Sequence, residues 1–298
     1  MVDLFSGKAV VVDATVGAGG HAEALLEAGV ETVVGIDRDQ DALHEAKAHL
    51  SRFGTRFRGV AGRFSRLAEI VQQAGFSEVG GVLYDLGVSS MQLDRADRGF
   101  GYRSEGPLDM RMGRDESGPA ASDVVNTYPE EALARVIFEY GQERHSRRIA
   151  RAIVRARDRA PIERTNELSA IVAGAVPRRR GGAHPARRTF QAIRIEVNGE
   201  LEELAASLSQ AAGLLERGGR LVAISYHSLE DRIVKRFLRD EPSLVVLTRK
   251  PVRPLPEEVE ANPRARSARL RAAERRDAER ADDRTTDARS GEPKEVAA

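Results

Sequence analysis

The chain has 298 residues, 41% of them hydrophobic, enough to bury the core of one large α/β domain or of a domain carrying an insert. It contains no cysteine, which excludes disulfides, thiolate metal sites and cysteine nucleophiles. Its formal net charge is only +1, from 47 Lys+Arg against 46 Asp+Glu, so the placement of the charges says more than their sum.

The N-terminus, MVDLFSGKAVVVD, lacks the regions of a signal peptide, and no apolar run approaches the roughly 20 residues needed to span a bilayer. A cytoplasmic protein without membrane attachment is expected. Val10, Val11 and Val12 lead to Asp13 and predict a first strand near 9–14. Gly17, Gly19 and Gly20 then allow a tight turn that brings backbone close to a ligand. His21 opens a helix over 20–28 whose Leu25 and Leu26 face inward. A strand running through glycines into a helix is the usual seat of a nucleotide-like cofactor. The second strand, TVVGID at 32–37, ends in Asp37, where an acid can accept hydrogen bonds from two ribose hydroxyls. Helices near 39–50 and 65–74 and strands near 56–60 and 81–86 continue the alternation, which argues for a parallel sheet with helices on both faces. The fourth strand ends at Asp85 and leads into LGVSSMQLDRADRGFGYRSEGPLDMRM, a loop too long for a simple connection and expected to be functional.

From 104 to 187 helical patterns take over, in EEALARVIFEYG, ERHSRRIARAIVRARDR and NELSAIVAGAVP. Arg144, Arg148, Arg151 and Arg155 fall at i, i+4, i+7 and i+11, one helix face, with Ile149, Ala152, Ile153 and Ala156 on the buried one. The loop PRRRGGAHPARR holds five arginines, among them Arg178, Arg179 and Arg180, and no acid. Both features suit phosphate contacts that position a nucleic acid without reading its sequence. The α/β pattern returns with one long helix over 189–215, a turn ERGG, and the strand RLVAISY at 220–226. The helix LEDRIVKRFLR, the strand SLVVLTR and a short run near 266–272 complete it. The expected organisation is a discontinuous cofactor domain, 1–103 and 188–273, interrupted by a helical RNA-recognition insert at 104–187. The charged, Ala-rich stretch 274–298 is expected to be disordered.

Gly17, Gly19 and Ala22 formally fit the dinucleotide fingerprint with Asp37 at the right distance, so a nicotinamide-dependent (NAD) oxidoreductase is one reading. S-adenosylmethionine (SAM) enzymes use the same turn and the same ribose acid. Asp85, followed by Leu86, Gly87 and the Ser89-Ser90 pair, sits where SAM enzymes place the transferring methyl, and the second half offers no convincing proton relay for a hydride transfer.

The segments DATVGAGGH, GIDRD, DLGVSSMQLDRADRGFGYRSEGPLDMRM, RTFQAIRIEVNGELEEL, SYHSLEDRIVKRF and NPRARSARLR together closely resemble the MraW-type ribosomal RNA small-subunit methyltransferase H family, from about residue 9 to 276. The resemblance implies a Rossmann-like SAM-methyltransferase sheet with an inserted all-helical domain. It also implies SAM-dependent methylation of N4 of a decoding-centre cytidine in 16S rRNA, within the small ribosomal subunit and without a metal. Carried over by motif position, Gly19, Gly20 and His21 would cradle the methionine end of SAM, Asp37 would hold the ribose, and Phe64 would lie against the adenine. Asp85 and Gln92 would complete the pocket. A sulfonium methyl is already activated, so the protein's task is alignment plus an acceptor for the amine proton. Asp85 is the candidate for that acceptor and Asp109 its competitor. Phe100, Tyr102 or Tyr226 could stack on a flipped cytosine, and His227 and Ser228 could touch it.

Two departures stand out. The family pattern carries a His-x-Pro-Val-Leu-like segment before its first strand, whereas here that strand opens within nine residues of Met1; apolar surface exposed beside the SAM site is the expectation. Met91 stands where many relatives have proline. The shortened start also keeps open a third reading, a non-catalytic ribosome-binding factor, against which Asp37, Asp85 and Gln92 speak.

Overall fold

Hydrophobic runs too continuous for a half-exposed sheet become strands buried on both faces. In the computed structural model, which describes residues 1–114, 117–177 and 184–276, seven strands form one sheet: β1 Val10–Asp13, β2 Thr32–Asp37, β3 Phe57–Ala61, β4 Val79–Asp85, β5 Leu215–Ser225, β6 Leu244–Val246 and β7 Arg269–Arg275. Their order is β3-β2-β1-β4-β5-β7-β6. The first five are parallel, and β7 runs antiparallel to both β5 and β6. Successive residues point to opposite faces. Val12, Ile36 and Tyr84 therefore pack on one side with Leu204 and Leu208, while Val11, Val33 and Leu83 pack on the other with Leu25 and Leu26.

The helices follow the sequence pattern: α1 Gly20–Glu27, α2 Gln40–His49 and α3 Leu67–Gln73. The order in which strands are added reverses at β1, with β2 and β3 to one side and β4 and β5 to the other. A crevice opens beyond the carboxyl ends of strands at such a switch point. Asp13, Asp37 and Asp85 are the last residues of β1, β2 and β4, so three carboxyl groups meet at this edge.

The long loop after β4 contains the short helix α4 Ser90–Asp94, and the insert comprises α5 Ala121–Thr127, α6 Glu130–Glu139, α7 Ser146–Arg157 and α8 Thr165–Ala175. Neither α4 nor α5 carries a periodic pattern long enough to be read from sequence. The insert has its own apolar core, around Leu133, Ile137, Ile149, Ile153 and Leu168. That core also takes in Phe100, Phe190 and Ile193, residues outside 104–187.

Several expectations need correction. The single helix over 189–215 is two helices, α9 Arg187–Asn198 and α10 Glu200–Leu214, broken where Gly199 takes φ 61°. The segment ERGG is not a free turn but the start of β5, with an irregular register opposite Val79 and Gly81. Arg144 precedes α7 rather than lying on it. Glu274 and Arg275 belong to β7, not to the tail; the tail beyond Arg276, and Arg178, Arg179 and Arg180, lie outside the described residues. Near the start, Phe5 is fully buried and its ring fills the space beside Gly81. Two further helices, α11 Ser228–Asp240 and α12 Pro256–Ala261, lie between β5 and β7. Among the described residues no helix is long and apolar enough to cross a membrane.

Candidate active site

A cavity of about 480 Å³ lies at the strand ends, lined by Gly17, Gly20, His21, Asp37, Phe64, Asp85 and Gln92 together with Glu200, Glu203, Tyr226 and Glu230. The sequence candidates Gly20, His21, Asp37, Phe64, Asp85 and Gln92 are thus brought together. Gly19 is not in the lining: it caps α1 at φ 92°, and a Cβ there would meet the Leu50 side chain at 3.0 Å, so this glycine lets α1 pack against α2. Phe64 is held edge-on by Tyr84, with ring centroids 5.9 Å apart.

The three strand-end acids sit in unlike environments. Asp37 accepts hydrogen bonds from the backbone N–H of Gly17 (2.9 Å) and Asp39 (2.8 Å). Burial nonetheless pushes its pKa up to about 6, those two bonds offsetting part of the effect. Asp13 is completely buried and accepts from Thr15 N–H at 3.2 Å. Burial pushes it up to about 7, opposed by His21 and helped by the charges of Asp85 and Asp37. Thr15 ties the first acid to the third, since its Oγ1 accepts from the Asp85 N–H at 2.6 Å. The Asp85 carboxyl, 3.6 Å from His21 Nδ1, is also raised: burial leads, and His21 and the Tyr226 hydroxyl only partly offset it. Asp13 Oδ2 and Asp85 Oδ1 are buried without a hydrogen-bond partner, the usual mark of a group kept for a ligand or a reaction.

The loop after β4 is bolted down by charge. Ser89 caps α4 by accepting from Gln92 N–H, and Gln92 Oε1 accepts in return from Ser89 N–H. The Gln92 amide donates to Asp39 Oδ2 at 2.9 Å, and Arg98 donates to the same oxygen at 2.7 Å in a pair that is only 2% exposed on each side. Arg98 also donates to the carbonyls of Arg111 and Met112. Both ends of the Gln92 amide are therefore engaged within the protein while the residue lines the cavity, each end having capacity for one more bond.

The opposite wall comes from α10, the turn after β5 and the first turn of α11. Glu230 accepts from the backbone N–H of Tyr226 (2.9 Å) and lies 3.1 Å from His227 Nε2. Burial would raise this carboxyl, but His227, Arg194 and the Tyr226 N–H outweigh it and hold Glu230 below its ordinary range. Arg194 grips Glu200 through two hydrogen bonds of 2.7 Å. Glu200, His227 and Glu230 stand close enough to share a cation, yet the Arg194 guanidinium already neutralises Glu200.

Other candidates fall elsewhere. Asp109 does not line the cavity; burial would raise its pKa, but hydrogen bonds and charge from Arg111, at 2.7 and 3.0 Å, hold it low. Tyr102 stacks on His184 and Phe100 is buried in the insert core, which leaves Tyr226 as the aromatic of the three that lines the cavity. Arg144, Arg148, Arg151 and Arg155 are exposed on the insert, with Arg151 3.4 Å from Glu130. Sequence reasoning missed Asp13, Asp39, Asn198 and Glu230. Asn198-Gly199 is a turn dipeptide that could have flagged the helix break. The buried acids carry no local signal, because only the fold brings them to one edge.

The sequence matches a family model described as the MraW methylase family over residues 2–276. A protein of Deinococcus deserti named Ribosomal RNA small subunit methyltransferase H is 54% identical over 261 residues, covering 87% of this chain and 85% of its own. Its namesake in Carboxydothermus hydrogenoformans is 49% identical over 281 residues, covering 88% and 90%. The one in Deinococcus radiodurans is 53% identical over 262 residues, covering 88% and 82%.

Proposed function

This chain belongs to the MraW methylase family, and on that premise we propose that it transfers a methyl group from SAM to N4 of a decoding-centre cytidine in 16S rRNA, acting on the small ribosomal subunit in the cytoplasm. It is a SAM-dependent rRNA methyltransferase, as its relatives' names and the methylase family support, and the nicotinamide reading falls with that family.

The residues present fit SAM. The backbone of Gly17, Ala18 and Gly20 opens into the cavity at the positive end of α1, where a carboxylate is favoured. Asp37 can offer acceptor capacity to ribose hydroxyls, because a carboxylate has about four lone-pair positions and the Gly17 and Asp39 N–H groups occupy two of them. The Phe64 ring supplies an apolar wall for the adenine. Bound there, SAM brings an activated methyl group.

What remains to the protein is the amine. Cytosine N4 shares its lone pair with the ring and must shed a proton as it is methylated. The unpartnered Oδ1 of Asp85 is placed to accept an N4–H hydrogen bond and then the proton, and its raised pKa suits a base better than an ordinary exposed carboxylate would. His21, beside the other oxygen, steadies the negative charge until that moment. Tyr226, fixed by Glu230, offers a ring against which a flipped base can rest. The observation that carries this reading is the buried, unsatisfied Asp85 oxygen at the edge of a cavity shaped for a ribose-bearing cofactor. Incubation with labelled SAM and unmethylated small subunits, followed by nucleoside mapping, tests it. N4-methylcytidine is expected; label on another atom, or none, would overturn it.

A further inference from the structure

A second cavity, of about 830 Å³, runs between α6 and α7 on the outer side of the insert, and Arg135, Phe138, Arg144, Arg147, Arg148 and Arg151 line it. Phe138 is 60% exposed, on a helix whose Leu133 and Ile137 are fully buried. A large aromatic left in water beside several guanidinium groups has no packing role. Glu130 and Glu131 also border the groove, but Glu130 is taken up by Arg151, and Arg135, Arg144, Arg147 and Arg148 remain as an exposed basic surface.

The groove is joined to the active site by one turn. Ser228, which follows Tyr226 and His227 at the β5 tip, donates from Oγ to Gln142 Oε1 at 2.5 Å. Gln142 lies two residues before Arg144 and holds φ 49°, a left-handed conformation uncommon outside glycine. The turn is rigid: Arg188 donates to the Gln142 carbonyl at 3.2 Å, and a Cβ on Gly141 would meet the Ile137 and Arg188 carbonyls at 2.6 and 2.7 Å. Backbone held in a sparse region by its surroundings is the mark of a position under functional demand.

We propose that the α6–α7 groove is a channel for unpaired RNA: the strand next to the target nucleotide passes from the cavity mouth over Gln142, its phosphates meet Arg144, Arg147 and Arg148, and one base stacks on Phe138. The proposal rests on the rRNA reading above. It selects a single strand over a duplex because an aromatic ring can stack only on a base that is splayed out, whereas a duplex offers its backbone alone. It selects RNA over an acidic protein segment because carboxylates would engage the arginines and leave the exposed ring without a planar partner.

The test is binding of a fluorescent oligouridylate of about a dozen nucleotides, a length within single-strand site sizes, to the full chain across a salt series. Phe138→Ala should weaken binding about tenfold with the salt slope unchanged, and Phe138→Trp should restore it. The double variant R147A/R148A should instead flatten the slope. SAM affinity should be the same in all of these. Binding of F138A equal to the parent protein overturns the proposal, as does equal affinity for an RNA duplex of the same length or equally effective competition by polyglutamate. Methylation of small subunits by the parent protein is scored separately. If no methyl is transferred while F138A still loses the oligonucleotide, the catalytic reading fails and the channel stands.

Discussion

At the scale of single residues, the chemistry is set by carboxyl groups whose burial the protein does not fully compensate. Asp13 shows the cost. Its pKa rises from 3.8 to about 7 in the folded state. Below the lower value both states carry the proton. Between the two, the folded protein holds a proton that the unfolded chain has released, so stability falls as pH rises, and above the upper value the whole penalty stands. Asp13→Asn keeps an acceptor for Thr15 N–H and removes the charge. It should raise the Tm by on the order of several degrees near pH 8, and by far less near pH 4, in thermal melts across pH. A gain independent of pH would show that charge is not the cause. The role proposed for Asp85 is checked by activity rather than by stability. Asp85→Ala should leave a folded protein by circular dichroism and abolish methyl transfer to small subunits. In the parent protein, transfer should rise with pH through a midpoint above the ordinary aspartate value, because the base must be ionised and burial opposes that. Turnover like the parent's in the alanine variant would remove Asp85 from the mechanism.

Secondary-structure elements were legible where period and length agreed. The strands β1 to β4 and the helices α1 to α3 are legible within a few residues, since runs such as Val10–Val12 and TVVGID are unambiguous when glycines or a helix follow. The break at Gly199 was not read, because Thr189–Leu215 keeps a helical pattern on both sides of one glycine. What decides it is tertiary. The buried Asn198 accepts from Met112 N–H (2.8 Å) and donates to the Met110 carbonyl (2.8 Å), pinning the loop beneath the insert exactly where α9 must end. The new helix then starts with Glu200 facing the cavity. Nothing stands within 4 Å of a Cβ built on Gly199, so Gly199→Ala adds no clash and only forces φ 61° on a residue that disfavours it. A loss of about 1 kcal/mol is expected, read as a lower denaturant midpoint with unchanged slope. A stability equal to the parent's would mean that the two helices tolerate another join.

On the scale of the whole molecule, the site is shared between parts that are remote in sequence, which is why motifs and the family resemblance located its residues better than they described their work. Gly20 comes from the start of α1, Asp37 and Asp85 from the ends of β2 and β4, Gln92 from the loop after β4, and Glu200 and Tyr226 from beyond the insert. The family resemblance put Gln92 in the pocket, but only the assembled fold shows its amide bonded to Asp39 and Ser89. A cofactor seated across these segments would tie them together, and binding to the folded state alone stabilises by mass action. At about a hundred times Kd the gain is roughly 2.7 kcal/mol, a Tm rise of several degrees for a chain of this size. SAM should therefore raise the melting temperature of the parent protein, and NAD should not. Asp37→Asn replaces a full carboxylate that faces the cavity and accepts from Gly17 and Asp39 N–H with an amide that has one acceptor oxygen. Its SAM-induced shift should shrink, and titration should show SAM affinity lower by about tenfold or more. Because Asp37 ionises near pH 6, the parent protein's affinity should fall as the pH drops through that value while the variant's stays flat. A pH-independent affinity in the parent would take Asp37 out of the ribose contact.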